Sequence, residues 1–342
     1  MKQKLKKNIK KVLASRTVIT RLCRLMKKPV AIVLAYHDVG RAGGPASWLR
    51  IPQPQFDEQL GALGQFCHFI QPDDLFDPAA LRPDRPNLLI TFDDGYNGNY
   101  RYALPVLEKH RIPALFFIST ANLQSGELFW FDKLVVPIQA QNIDYLDLRG
   151  KGLGEYRFRS NGDPDRRWLD LHQLLEDTKR LGNPDTPKAK AVIDFFSEKF
   201  SHVLQAHADE FRPLKPDELT AMARHPLCSF GSHSHHHGIM NAMLSEELTE
   251  NLQASKTILE SLTGRSITHL AFPNGDSDRR VRQILEATGY RWGYSTAPGL
   301  VHAGTDPYQI PRTMIGAFED METILFKLSR QILMHAFNRR KG

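Results

Sequence analysis

Thr91-Phe92-Asp93-Asp94-Gly95-Tyr96 is the stretch on which the fold turns. Asn87-Leu88-Leu89-Ile90 runs directly into it, an apolar segment of strand length that is stopped by polar residues and glycine. Such a run reads as a buried strand. Two adjacent carboxylates then stand at its C-terminal end, where α/β sheets and barrels keep their chemistry. Neighbouring side chains on a strand point to opposite faces, so Asp93 and Asp94 can serve one site only if the chain is already turning, and Gly95 permits that turn. Read alone, Asp-Asp-Gly is equally a plain turn.

A second stretch shifts the balance. Gly231-Ser232-His233-Ser234-His235-His236-His237 follows Leu227-Cys228-Ser229-Phe230, a further short strand. His233 and His237 are four residues apart and can face one ion from a turn or a first helical turn. Two imidazoles with one carboxylate leave coordination positions open, which suits catalysis better than structure.

Together with Phe272-Pro273-Asn274-Gly275, these motifs resemble the polysaccharide deacetylase family, the NodB-homology carbohydrate esterases. The first two motifs are specific in combination, and the resemblance covers roughly residues 30 to 315 with one long interruption. It implies a distorted (β/α)7 barrel, Asp93 as general base, Asp94, His233 and His237 as ligands of a divalent metal ion, and the backbone N–H of Tyr96 as an oxyanion donor. His235 and His236 fall at variable positions of the motif. Most members carry a Leu-x-His type acid on their last strand. Here Ala35-Tyr36-His37-Asp38 ends the first strand, Val30 to Tyr36, and is similar to a circularly permuted branch, which makes His37 the expected acid and Asp38 either its orienting partner or a turn residue. Members often place an Arg where this chain has Ala271, and Arg312 is the candidate to hold Asp93 instead. Pro273, Asn274, Trp130, Trp292, Arg312 and Tyr96 are the expected substrate-contacting residues. A His2Asp site accepts Zn, Ni, Co or Fe(II).

The 342 residues suffice for one large barrel or two ordinary domains, and 41% hydrophobic content supports a sizeable core. Cys23, Cys67 and Cys228 show no paired spacing, which argues against a disulfide framework. The net charge of +7 is unevenly spread: residues 1–28 hold eight Lys and three Arg and no acid, so the remainder carries −4. That is not the even basic surface of a nucleic-acid binder, and no nucleic-acid partner is expected. Arg16, Arg21 and Arg24 interrupt the apolar run a signal peptide needs, and the segment is too short and charged to span a bilayer. Leu5, Ile9, Val12, Ile19, Leu22 and Met26 recur at helical spacing between the cations, which suits a helix on an anionic membrane surface; the alternatives are a disordered basic arm or a helix packed on the body. Residues 318–342 repeat the pattern and are expected to cover the barrel or join that surface. These features predict a protein in the cytoplasm or on the inner membrane face.

Between the ends, residues 29–317 form the expected barrel, with strands also at Ala114–Ser119, Thr268–Phe272, Arg291–Ser295 and Tyr308–Arg312. Alternation of strands and helices fits a parallel barrel, although an open doubly wound sheet fits the pattern too. Residues 122–215 break the rhythm with the helical stretches 166–181 and 187–200, a helical insertion from a βα loop and hence on the catalytic face. Leu128-Phe129-Trp130-Phe131-Asp132 opens it, either as an aromatic platform for sugar or as its anchor to the barrel.

The expected reaction is metal-dependent removal of N-acetyl from an amino-sugar glycan or a lipid-linked saccharide. The alternatives are a deformylase or O-acetyl esterase on a related sugar, and a catalytically inactive carbohydrate-binding barrel.

Overall fold

The computed structural model describes residues 12–26, 28–42, 47–158 and 164–338. Seven strands carry the framework: β1 (Ala31–Tyr36), β2 (Asn87–Phe92), β3 (Ala114–Ile118), β4 (Cys228–Ser232), β5 (His269–Ala271), β6 (Trp292–Tyr294) and β7 (Arg312–Met314). They lie in the order β6-β5-β4-β3-β2-β1-β7, all parallel. A parallel bridge between Tyr294 and Ile310, just before β7, joins the two ends into a barrel. The open-sheet alternative is thereby excluded.

Alternation along the strands separates two cores. Leu88, Ile90 and Phe92 of β2 face outward into a large cluster shared with the surrounding helices. Leu89 faces inward, with Ala31, Val33, Leu115, Phe117, Ala271, Tyr294 and Ile310, and these fill the barrel. The filling mixes very small and very large residues, as the narrow lumen of such a barrel requires. Gly231 shows how tight it is: a Cβ there would lie 2.6 Å from the Phe117 ring and 2.9 Å from the carbonyl oxygen of His269.

The helices around the barrel include α1 (Arg16–Met26), before the first strand, and α2 (Gln53–Gly64), α3 (Leu104–His110), α8 (Ser245–Thr263) and α9 (Arg279–Ala287), between strands. Pro105 stands in the first turn of α3, as a missing N–H requires, but a π-helical turn, Asn99–Ala103, precedes it and extends the helix towards β2. Gly264 closes α8 in the left-handed conformation at φ 64°. The insertion contains α4 (Trp130–Ala140), an antiparallel hairpin of Tyr145–Asp147 with Glu155–Arg157, α5 (Pro164–Arg180), α6 (Pro187–Lys199) and α7 (Ser201–Phe211). It has its own core, built on Phe129, Leu134, Leu174, Val192 and Phe196.

Both amphipathic ends dock on the body where they are described. Helix α10 (Met321–Asn338) buries Ile324, Leu328 and Ile332, and α1 packs on it through Ile19 and Cys23. Arg16 of α1 donates to Gln65, just past the end of α2 and beside His68–Phe69, which pairs with the first residues of β2. Helix α1 thus lies at the N-terminal end of the barrel, with Arg16, Arg21 and Arg24 exposed. The basic residues before position 12 and after 338 fall outside the described residues. No described helix is long and apolar enough to cross a membrane.

Gly231→Ala is expected to lower stability by about 1–3 kcal/mol through overpacking of the lumen, read as a fall in the urea midpoint. An unchanged midpoint would show that the Phe117 ring can give way.

Candidate active site

Each strand continues its inward register for one more residue past its C-terminal end, and these residues make the floor of a cleft. Ala35 leads to His37, Leu89 to Asp93, Gly231 to His233, Ala271 to Pro273 and Tyr294 to Thr296, while Met314 closes β7. Asp94 belongs to the opposite face by parity. It enters the same cleft because the backbone reverses there, with φ 71° at Asp94 and 89° at Gly95. Ser234 and His237, at φ 66° and 52°, turn the chain a second time, so the two histidines meet across a turn and not along a helix.

Asp94, His233 and His237 bring one donor atom each within 4.8 Å of the others. His237 Nε2 is 3.0 Å and His233 Nε2 3.4 Å from Asp94 Oδ1. The Nδ1–H of His233 donates to the carbonyl of Ala271 at 2.9 Å, which leaves Nε2 as the lone pair facing Asp94. The Ser234 hydroxyl oxygen accepts the His237 amide at 2.9 Å, and the rings of Phe129 and Phe131 hold its imidazole at 5.8 and 5.5 Å. Both carboxylate oxygens of Asp94 and Nδ1 of His237 are buried without a hydrogen-bond partner. Such groups normally find a partner. Burial pushes His233 towards the neutral form, yet the carboxylates of Asp93 and Asp94 raise its pKa overall, so the site attracts positive charge. Donor type, convergence and unsatisfied atoms all fit a divalent cation of the Zn, Ni, Co or Fe(II) kind.

Asp93, adjacent, is held differently. Arg312 grips it in a bidentate pair, Nη1 to Oδ1 at 2.6 Å and Nη2 to Oδ2 at 2.9 Å. Arg312 is fully buried, donates Nε–H to the Ser295 carbonyl at 2.9 Å, and packs 5.5 Å from the Phe117 ring. Burial alone would raise the Asp93 carboxyl, but the guanidinium, with His233, holds it below its ordinary 3.8. The place left by Ala271 is therefore filled from β7. Arg312 is corrected as a substrate contact: it has no exposed surface and acts on Asp93.

His37 lines the cleft from the end of β1, beside β2. Burial lowers its pKa, with Asp94 and Asp93 pulling the other way. Asp38 does not orient it. Its carboxylate pairs with Arg50 Nε at 2.5 Å, in a short ladder of Asp38–Gly40 with Arg50–Pro52. Arg50 also donates to the Glu210 carbonyl and stacks 3.9 Å from the Phe211 ring, so this network ties the β1 exit to the insertion.

Tyr96 needs correction too. Its side chain is 1% exposed and its hydroxyl donates to Asp132 at 2.6 Å, so only its backbone can face a substrate. Burial, with Asp94 and Asp38 adding to it against the Tyr96 hydrogen bond and Arg50, pushes the Asp132 carboxyl up to about 8. Trp292 is also corrected. It stands at the start of β6 and stacks on Phe76 at 4.8 Å, at the N-terminal end of the barrel. Its register is inward, but it lies two layers below Thr296, which reaches the cleft. Trp130, Pro273 and Asn274 do line the cleft. The aromatic run divides: Trp130 and Phe131 line the cavity, Phe131 also belonging to the insertion core in which Phe129 is buried. The cavity has a volume of about 270 Å3. Sequence reasoning missed the residues that the insertion adds to its wall, among them His172, Leu175, Glu176, Lys179 and Asn183. Their helical pattern reads as an ordinary amphipathic face and carried no signal.

Comparison with known proteins gives a consistent result. The family profile described as Polysaccharide deacetylase matches residues 81–144 and 189–293. YxkH of Bacillus subtilis (strain 168), a protein assigned to the polysaccharide deacetylases, is 20% identical over 293 residues, covering 84% of this chain and 73% of that protein. The Streptococcus pyogenes deacetylase PplD, solved in complex with acetate, superposes with a TM-score of 0.57 at 16% identity, over 88% of this chain and 99% of that one. IcaB from Ammonifex degensii superposes with a TM-score of 0.57 at 17% identity, over 89% and 98%. At these identities the structural likeness speaks for the fold.

Arg312→Met leaves a buried carboxylate without its counter-charge and is expected to cost about 3–5 kcal/mol at neutral pH. Because the folded pKa of Asp93 is depressed, the pair's contribution is complete above the ordinary 3.8 and is lost as pH falls through the lower folded value. Urea unfolding followed from neutral to acid pH should show this acid-side loss in the wild type and not in Arg312→Met.

Proposed function

Because the chain belongs to the polysaccharide deacetylase family, we propose that it hydrolyses the N-acetyl group of an amino sugar with Asp93 as base and His37 as acid. The observation that carries this reading is the convergence of Asp94, His233 and His237 beside a carboxylate fixed by Arg312. Asp94, His233 and His237 would hold the metal ion, which supplies a Lewis acid for the acyl carbonyl and acidifies water. Asp93 is ionised and keeps lone pairs beyond those used by Arg312, so it can accept a proton from the attacking water. The N–H of Tyr96, whose side chain is anchored through Asp132, is the proposed donor to the developing oxyanion. His37 stands on the β1 side of the cleft, and burial makes its protonated form a readier donor to the leaving nitrogen. Trp130, Pro273 and Asn274 bound the sugar.

An amine is a poorer leaving group than an alcohol, so a retained acid favours amide over ester substrates. Formyl and O-acetyl sugars remain the alternatives to be run beside the acetamide. A lipid-linked saccharide at an anionic membrane surface is the proposed setting, supported by the exposed Arg16, Arg21 and Arg24 of α1 and the exposed Leu25.

Metal-loaded protein is expected to release acetate from N-acetylated sugars, and Asp93→Asn to lose about 10²–10⁴-fold in rate at unchanged metal content. Asp94→Asn should instead lose the metal, measured by elemental analysis after dialysis. Full activity in Asp93→Asn would remove Asp93 from the base role.

A further inference from the structure

The insertion leaves the barrel after β3 and returns at β4, yet it is fastened to the far side of the mouth. Near the start of α5, Trp168 meets Phe318, beyond β7, with ring centroids 5.4 Å apart. In its middle, His172 meets Trp48, beyond β1, at 6.3 Å. Near its end, Lys179 Nζ donates to Asn274 Oδ1, beyond β5, at 2.7 Å. Just after it, Asn183 Oδ1 accepts the Ile239 N–H, beyond β4, at 2.8 Å. Helix α5 therefore crosses the mouth from the β1–β7 side to the β4–β5 side, and the cavity has a barrel floor and a helical roof. The roof is mostly apolar, with Leu175, Pro184 and Ile193, and carries one charged pair, Glu176 with Lys179 at 2.8 Å.

A polymer deacylated at internal residues needs a groove open at both ends across the catalytic carboxylates. A bridged mouth with about 270 Å3 beneath it is a small-molecule site, close to the lower end of the usual ~300–1,000 Å3 range. We infer that the enzyme acts on a short N-acylated saccharide or on the terminal sugar of a chain, admitted end-on beneath α5, and that Lys179 and Glu176 are the residues that set this length preference. The inference rests on the deacetylase reading of the site. Lys179 serves doubly: it lines the cavity and it latches the roof to the Asn274 loop. Glu176, held by Lys179, offers a charged acceptor for sugar hydroxyls in the roof.

The test uses the full-length, metal-loaded protein with N-acetylglucosamine and its chitin-type oligomers up to the hexamer. Acetate release is followed for each length, and binding of each length to Asp93→Asn is followed by calorimetry. The expected result is that kcat/KM and affinity both reach their plateau by the disaccharide, with one acetate released per chain. Lys179→Ala should lower kcat/KM on the short substrates about 5- to 10-fold and so open a gap in favour of the hexamer that the wild type lacks, at an unchanged melting temperature. A rate and affinity that keep rising to the hexamer, with several acetates per chain, would overturn the inference. So would a length profile that Lys179→Ala and Glu176→Gln both leave unaltered. Binding that saturates at the disaccharide without acetate release would support the closed pocket and count against the deacetylase reading alone.

Discussion

The buried pair of Arg312 and Asp93 sets the terms for everything around it. A guanidinium with no solvent contact, at the top of an apolar lumen, is tolerable only because two hydrogen bonds to one carboxylate and a third to the Ser295 carbonyl satisfy it. That requirement fixes β7 against β1, whose partner β2 carries Asp93. It also fixes which acid is free for coordination. With Asp93 claimed by Arg312, the oxygens of Asp94 are the ones left without hydrogen-bond partners beside His233 and His237. Two adjacent residues of the same type thus acquire different chemistry from one backbone reversal and one arginine.

Much of this was legible in the sequence, because the decisive residues sit at strand ends with strong punctuation. The apolar run before Asp93, the internal histidine cluster and the Pro273-Asn274-Gly275 turn each marked a strand terminus. Inward parity then carries those termini into one cleft. What stayed hidden depended on depth and on three-dimensional crossing. Trp292 has the right parity but the wrong layer, and a strand pattern does not reveal how high its barrel end stands. Tyr96 follows the motif directly, yet its ring turns down onto Asp132, some way along the chain. Asp38 stands next to His37 but is taken by Arg50, a pairing set by a parallel ladder of three residues that no periodicity shows. The roof residues of α5 were unreadable for the same reason: an amphipathic helix does not announce what it lies across.

The insertion is more than a cover. Phe129 and Phe131 belong to its core and also press on the His237 imidazole, so the packing of the added layer and the placement of a metal-site donor are one problem. Arg50 extends the same coupling to the β1 exit through Glu210 and Phe211. A substitution deep in the insertion that shifts these rings will therefore be felt at the candidate metal site before it is felt in the barrel. The insertion that supplies much of the cavity wall is in this way tied to the geometry of the site.

Helix α1 and the cleft occupy opposite ends of the barrel, and this has a bearing on reach. A six-residue strand such as β1 or β2 spans about 20 Å at ~3.3 Å per residue. A bilayer met by the exposed arginines of α1 would lie beneath the barrel, with the cleft opening away from it at that height or more. The enzyme would then stand like a short pedestal, attending to sugar that loops back from the lipid or arrives from the aqueous side, and leaving untouched any residue joined directly to its carrier at the surface.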